Sequence, residues 1–153
     1  MALLTEIPEP VTPIAKKPFS VFIVDDDESY LSALGFRLMK ENNNEAKVFC
    51  YTSGEECLRN MNLHPSVIIL DYYLDASNPS AMSGLQTLRK IKKADPLVPV
   101  VVLSSQGDMN VALEIYAAGA YTYIIKDKHA IQSVEKIIER FRPAESGIMT
   151  GDR

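Results

Sequence analysis

Tryptophan is absent from this 153-residue chain, and cysteine and histidine are scarce, at two residues each. Two thiols, Cys50 and Cys57, cannot build a disulfide framework, and their spacing matches no zinc motif. Their apolar surroundings predict buried or half-buried free thiols. Long apolar runs are also missing: none approaches the roughly 20 residues that a bilayer-crossing helix needs. The first 17 residues lack the basic start and apolar stretch of a signal peptide, and carry Glu6 and Glu9 with three prolines, a fourth following at Pro18. A cytoplasmic protein with no membrane association is expected. There is no excess of positive charge either, the net charge being −4. Nucleic-acid binders gain affinity by neutralising phosphates along a basic stripe. The short basic run Arg89–Lys93 reads instead as the solvated face of an amphipathic helix, so no direct contact with nucleic acid is expected. Neither a G-x-G-x-x-G fingerprint nor a P-loop is present, which leaves nucleotide binding without support.

What is present is an ordinary globular composition, 46% hydrophobic and 24% charged, in a length suited to one domain. Short apolar, β-branched runs occur at residues 20–24, 46–51, 66–70, 99–103 and 120–125. Most are continuously apolar rather than alternating, as strands covered on both faces of a parallel sheet must be. Helical patterns lie between them. Leu31, Leu34, Leu38 and Met39 are read as one stripe, as are Leu85, Leu88 and Ile91, and then Ile131, Val134, Ile137, Ile138 and Phe141. Residues 54–60 and 108–118 complete five helices. Ser53 and Asp108 suit helix N-caps, and Gly119 suits a left-handed helix end. Five strand–helix pairs in strict alternation predict a doubly wound α/β fold, flavodoxin-like, with a parallel sheet in the order 2-1-3-4-5. Its ligand crevice lies at the carboxyl ends of the strands, near the point where the order reverses.

Polar residues gather where that rule puts a site. The first strand ends in Asp25-Asp26-Asp27-Glu28, the third runs into Asp71, the fourth ends in Ser104-Ser105 and the fifth in Lys126. Crowded carboxylates repel one another, and a hard divalent cation relieves the repulsion. An oxygen-only donor set without His or Cys favours Mg²⁺ over zinc. An aspartate beside such a cation can attack phosphorus to form an acyl phosphate. The Ser104 hydroxyl and the Lys126 ammonium then supply donors for the phosphoryl oxygens. Taken singly, each residue has a plainer reading: a helix cap at Asp25–Glu28, a turn at Asp71, a loop serine, a solvated lysine. Asp27 is expected to be the cap. A cap needs one side chain, though, and four strand ends converging on one rim need a different explanation. His64 and His129 lie away from the rim and are assigned no chemistry.

Val24-Asp25-Asp26-Asp27, Ile68-Ile69-Leu70-Asp71, Val102-Leu103-Ser104 and Tyr123-Ile124-Ile125-Lys126 together resemble the motifs of response-regulator receiver domains, the single-domain chemotaxis-regulator type included. They occur in order over residues 18–141, flanked by tails at 1–17 and 142–153. The resemblance implies a phosphoacceptor switch of a two-component phosphorelay, not a free-standing enzyme. Asp71 would take a phosphoryl group from a sensor histidine kinase or a histidine phosphotransfer protein. Asp26 and Asp25, with Asp71 and the Tyr73 carbonyl, would hold Mg²⁺. Ser104 and Lys126 would assist the transfer, and Tyr123 would be the aromatic switch. A downstream protein would then read the face made by the fourth helix, fifth strand and fifth helix, with a phosphorylation-driven homodimer as an open alternative. Only twelve residues follow Phe141, so no DNA-binding output domain is expected in this chain.

Some positions depart from the pattern. The stretch from Tyr72 to Ser83 is longer than the family's usual loop. Asp127 stands where many receivers have proline, which makes a cis peptide after Lys126 expensive, at about 3 kcal/mol. Tyr73 is bulky enough to restrict water at an acyl phosphate. Ile115, Tyr116, Tyr121 and Ile131 are weighed as partner surface, with most of them expected in the core. Two rivals remain: a receiver-like docking module that is never phosphorylated, and a Mg²⁺ phosphohydrolase. Phosphohydrolases of the haloacid-dehalogenase type need Asp-x-Asp-x-Thr after the first strand, which is absent here.

Overall fold

A computed structural model describes residues 17–41, 45–74 and 78–144. The five apolar runs become strands β1 (Ser20–Val24), β2 (Lys47–Tyr51), β3 (Val67–Asp71), β4 (Val100–Ser104) and β5 (Thr122–Ile125). The intervening patterns become helices α1 (Glu28–Glu41), α2 (Gly54–Arg59), α3 (Gly84–Ala94), α4 (Met109–Ala117) and α5 (Ala130–Phe141). All strand pairings are parallel, in the order β2-β1-β3-β4-β5. The fold class expected from the alternation is the one found.

The continuous apolarity of β1, β3 and β4 has its cause in the two core layers. Phe22, Val24, Ile68, Leu70, Val100 and Val102 point to one face, where Cys57, Leu88, Ile91 and Ile115 of α2, α3 and α4 cover them. Val21, Ile23, Val67, Ile69, Val101 and Leu103 point to the other, under Leu31, Leu34 and Leu38 of α1 and Val134 and Ile138 of α5. Edge strands β2 and β5 are less covered.

Three expectations need correction. Met39 is 42% exposed, because 100° per residue carries it well off the Leu31–Leu34–Leu38 stripe. Cys50 is exposed on the edge strand β2, while Cys57 is buried as expected. Of the four residues weighed as partner surface, Ile115 is buried and Ile131 half-buried, whereas Tyr116 and Tyr121 are exposed. The basic run is not purely solvated: Lys92 Nζ donates to the Val98 carbonyl at 2.8 Å.

The local signals act where they were read. Ser53 accepts from the Glu56 N–H at 3.2 Å and Asp108 from the Asn110 N–H at 2.8 Å. Asp27 caps α1, its Oδ1 accepting from the Ser29 and Tyr30 amides at 3.0 and 3.1 Å. Gly119 takes φ +98° just after α4, a conformation in which a Cβ is strained. Ser83 and Gln86 close a capping box at the start of α3.

That capping box brings Gly84 against the end of β3. A Cβ on Gly84 would lie 2.4 Å from the Tyr72 carbonyl oxygen and 2.5 Å from that of Asp71. Both are backbone atoms, which cannot swing aside. Gly84→Ala should therefore cost about 2 kcal/mol or more through overpacking, a fall of several degrees in Tm. A urea midpoint equal to that of the unchanged protein would show that this approach is not tight.

Candidate functional site

Strand register assembles the site. Val24 of β1 pairs with Leu70 of β3, so the next residues, Asp25 and Asp71, stand level at the carboxyl ends of neighbouring strands. Asp71 in turn pairs with Leu103, and Ser104 with Ile125. The Lys126 amide donates to the Ser104 carbonyl at 2.7 Å, which starts its side chain at the same rim.

Asp25, Asp26 and Asp71 each place a carboxylate oxygen within 4.8 Å of the others. Asp25 is 1% exposed and Asp71 6%, while Asp26 is open to solvent. Lys126 reaches across from β5: its Nζ donates to Asp25 Oδ2 at 2.6 Å and lies 3.4 Å from Asp71 Oδ1. The second Asp25 oxygen accepts the Asp27 amide at 2.9 Å. Burial, reinforced by the Asp25 charge, pushes the Asp71 carboxyl up to about 6 despite the opposing pull of Lys126. Burial works to lower Lys126, yet its hydrogen bond to Asp25 and the charges of Asp71 and Asp25 hold it above its ordinary value. A third acid within reach of two buried ones, with oxygen donors throughout, makes a pocket that could hold a divalent cation.

Ser104 is fully buried at the end of β4. Its hydroxyl donates to the Gln106 carbonyl at 3.2 Å and accepts the Gln106 amide at 3.3 Å. The Tyr123 hydroxyl donates to that same carbonyl. Tyr73 donates from its hydroxyl to Gln106 Oε1 at 3.3 Å, its ring set edge-on to Tyr72. The Lys126–Asp127 peptide is trans. In the long loop after β3, Met82 N–H donates to Glu55 Oε1 at 2.7 Å, and residues 75–77 lie outside the described residues, as do 1–16 and 145–153.

A family model described as the response regulator receiver domain matches residues 21–138. The chain belongs to that family. This receiver domain is 31% identical over 135 residues to the transcriptional regulatory protein GlrR of Escherichia coli, a match covering 86% of this chain and 29% of that protein. It is 35% identical over 107 residues to an NtrX-like putative response regulator of Rickettsia felis, covering 69% of this chain and 21% of that one. The receiver thus spans less than a third of the length of these curated relatives. Among solved structures, a response regulator receiver domain from Clostridium thermocellum superimposes with TM-score 0.67 at 26% identity, covering 80% of this chain and 93% of that one. The receiver domain of NtrX from Brucella abortus gives 0.67 at 24% identity, covering 79% and 96%.

Sequence reasoning named Asp25, Asp26, Asp71 and Lys126, and the receiver fold brings all four together. It missed three neighbours. Gly84 could have been found from the Ser83-x-x-Gln86 capping pattern one step away. Gln106 and Tyr30, whose ring lies under the Lys126 ammonium, carry no motif, and only the tertiary contact reveals them.

The raised Asp71 pKa fixes a pH dependence. With a folded value of about 6 against an ordinary 3.8, the folded state binds the extra proton, so stability falls as pH rises through this window. In chelator-treated protein, Asp71→Asn should raise Tm above pH 7, with the difference closing towards pH 4. A difference that stays constant across the titration would contradict a strained, buried Asp71.

Proposed function

We propose that residues 18–141 act as a phosphoacceptor switch in a two-component phosphorelay, with Asp71 as the acceptor. The observation that carries this reading is the convergence of Asp25, Asp26 and Asp71 within 4.8 Å beside the Lys126 ammonium. A carboxylate oxygen of Asp71 attacks the phosphorus of a phosphohistidine on a sensor kinase or phosphotransfer protein. The P–N bond breaks, its electron pair and a proton pass to the imidazole, and an aspartyl phosphate remains. Asp26, Asp25, Asp71 and the Tyr73 carbonyl would hold Mg²⁺, which when bound supplies the charge that lets a phosphate approach three acids. Lys126 and the Ser104 hydroxyl donate to the phosphoryl oxygens. With a net charge of −4, the domain is not proposed to touch nucleic acid itself, and we place it in the cytoplasm with its phosphodonor.

The same network supports a readout. Phosphorylation adds nearly two negative charges and three acceptor oxygens. Drawing the Ser104 hydroxyl towards them takes it from the Gln106 carbonyl, which Tyr123 shares. The connection between β4 and α4 then shifts, biasing two existing conformations. Met109, Leu113, Tyr116 and Ile125 expose apolar surface on the α4–β5–α5 side, suited to a downstream protein or a second copy.

Intact mass after incubation with acetyl phosphate and Mg²⁺ tests the acceptor. One phosphoryl adduct is expected, requiring Mg²⁺ and absent in Asp71→Asn. No adduct, together with no response to a beryllofluoride mimic, would favour a docking module that is never phosphorylated. The lifetime of the adduct tests the screening tyrosine. Tyr73, bridged to Gln106 across the rim, restricts water, so Tyr73→Ala should hydrolyse about tenfold faster, a barrier lower by ~1.4 kcal/mol. An unchanged lifetime would remove that role.

A further inference from the structure

Tyr30 lies in the first turn of α1, and the Lys126 ammonium sits 4.3 Å from its ring centroid, well inside cation–π range. The phosphotransfer roles above make no use of this residue. Its hydroxyl is buried and has no hydrogen-bond partner among the described residues. The side chain therefore meets the site through its ring, not its phenol.

Lys126 otherwise depends on two acids that the cation and the transfer itself engage. Its shortest contact is Asp25 Oδ2 at 2.6 Å, with Asp71 Oδ1 farther off at 3.4 Å. On the acceptor reading, Asp25 helps to hold a divalent cation, which competes for the same carboxylate. Asp71 itself becomes the acyl part of a mixed anhydride, its carboxylate charge replaced by that of the phosphoryl oxygens. The aromatic face is a contact that neither event disturbs, since a hydrated divalent cation gains nothing from displacing it. A lysine stem with four rotatable bonds would otherwise have to be ordered at the moment of transfer, which costs rate.

We propose that Tyr30 is a positioning residue whose ring holds the Lys126 ammonium at the rim, so that it meets the arriving phosphoryl oxygens already in place. The inference rests on Asp71 being the acceptor.

Three variants of the full chain test it: Tyr30→Phe, Tyr30→Leu and, should the leucine variant fold poorly, Tyr30→Met. The first readout is the ε-methylene proton shift of Lys126 in metal-free protein, assigned by its disappearance in Lys126→Arg. It should be moved upfield by the ring in the unchanged protein and in Tyr30→Phe, and should return to an ordinary lysine value in Tyr30→Leu. The second readout is the rate of phosphoryl-adduct formation from acetyl phosphate at saturating Mg²⁺. Tyr30→Leu should be slower by about threefold to tenfold, with Tyr30→Phe restoring most of the loss. Mg²⁺ affinity should be the same in all, because the acids are untouched. An unshifted Lys126 in the unchanged protein, or an unslowed Tyr30→Leu, overturns the proposal while leaving the acceptor reading intact. So does a slowing that comes with weakened Mg²⁺ binding, or that Tyr30→Phe shares, since either marks general damage to the rim. Failure of the unchanged protein to take up any phosphoryl group overturns the acceptor reading and this inference with it.

Discussion

Two carboxylates held level on neighbouring parallel strands, almost shut off from water, constrain everything else at this rim. Strands in a sheet lie about 4.8 Å apart, so register alone brings Asp25 and Asp71 together once Val24 pairs with Leu70. Burial, and after it their mutual repulsion, holds the Asp71 carboxyl well above the ordinary carboxylate range. Lys126 offsets part of this, but a single ammonium shared between two buried acids leaves the pocket acidic once Asp26 is counted. Such a pocket could hold a divalent cation, and on the proposed reading a phosphoryl group would then be drawn to it. The electrostatic strain in the pocket is thus the source of its response to pH and underlies the chemistry proposed for it.

The same rim is tied to a distant face by very few atoms. The Gln106 carbonyl receives both the buried Ser104 hydroxyl and the Tyr123 hydroxyl, while its side-chain amide oxygen receives Tyr73. One short segment between β4 and α4 is therefore bonded to residues from β4, from β5 and from the turn that follows β3. A charge placed at Asp71 competes for the most deeply buried of these donors. Since packed cores shift between discrete arrangements rather than deforming smoothly, loss of one bond here is able to change which arrangement is favoured. Exposed apolar side chains of α4 and β5, Met109 and Ile125, lie beside this segment.

Much of this was legible in the chain itself. Continuous β-branched runs such as Ser20–Val24 and Val100–Ser104 announce strands covered on both faces, and their alternation with amphipathic helices leaves few topologies open. Asp25, Asp26, Asp71 and Lys126 were legible because each ends an apolar run, and parallel topology gathers strand ends. Caps at Asp27, Ser53 and Asp108 were legible because capping is local. Met39 and Cys50 were misplaced for a common reason: periodicity gives the spacing of apolar residues but not the width of the surface that covers them. A residue at the margin of a stripe, or on an edge strand, is decided by what packs next to it.

The sequence by itself therefore determined the fold class, the order of elements and the acidic, oxygen-only character of the rim, because these follow from short-range periodicity and from which residues end each apolar run. Only the tertiary structure decided that Gly84 must lack a Cβ where α3 meets the backbone of Asp71 and Tyr72, that Gln106 joins Ser104 to Tyr123, and that the ring of Tyr30 lies under Lys126. The longest of these contacts joins residues 96 positions apart, and no local pattern encodes it. They arise because the sheet has already brought the strand ends together, after which van der Waals distance decides what can fit.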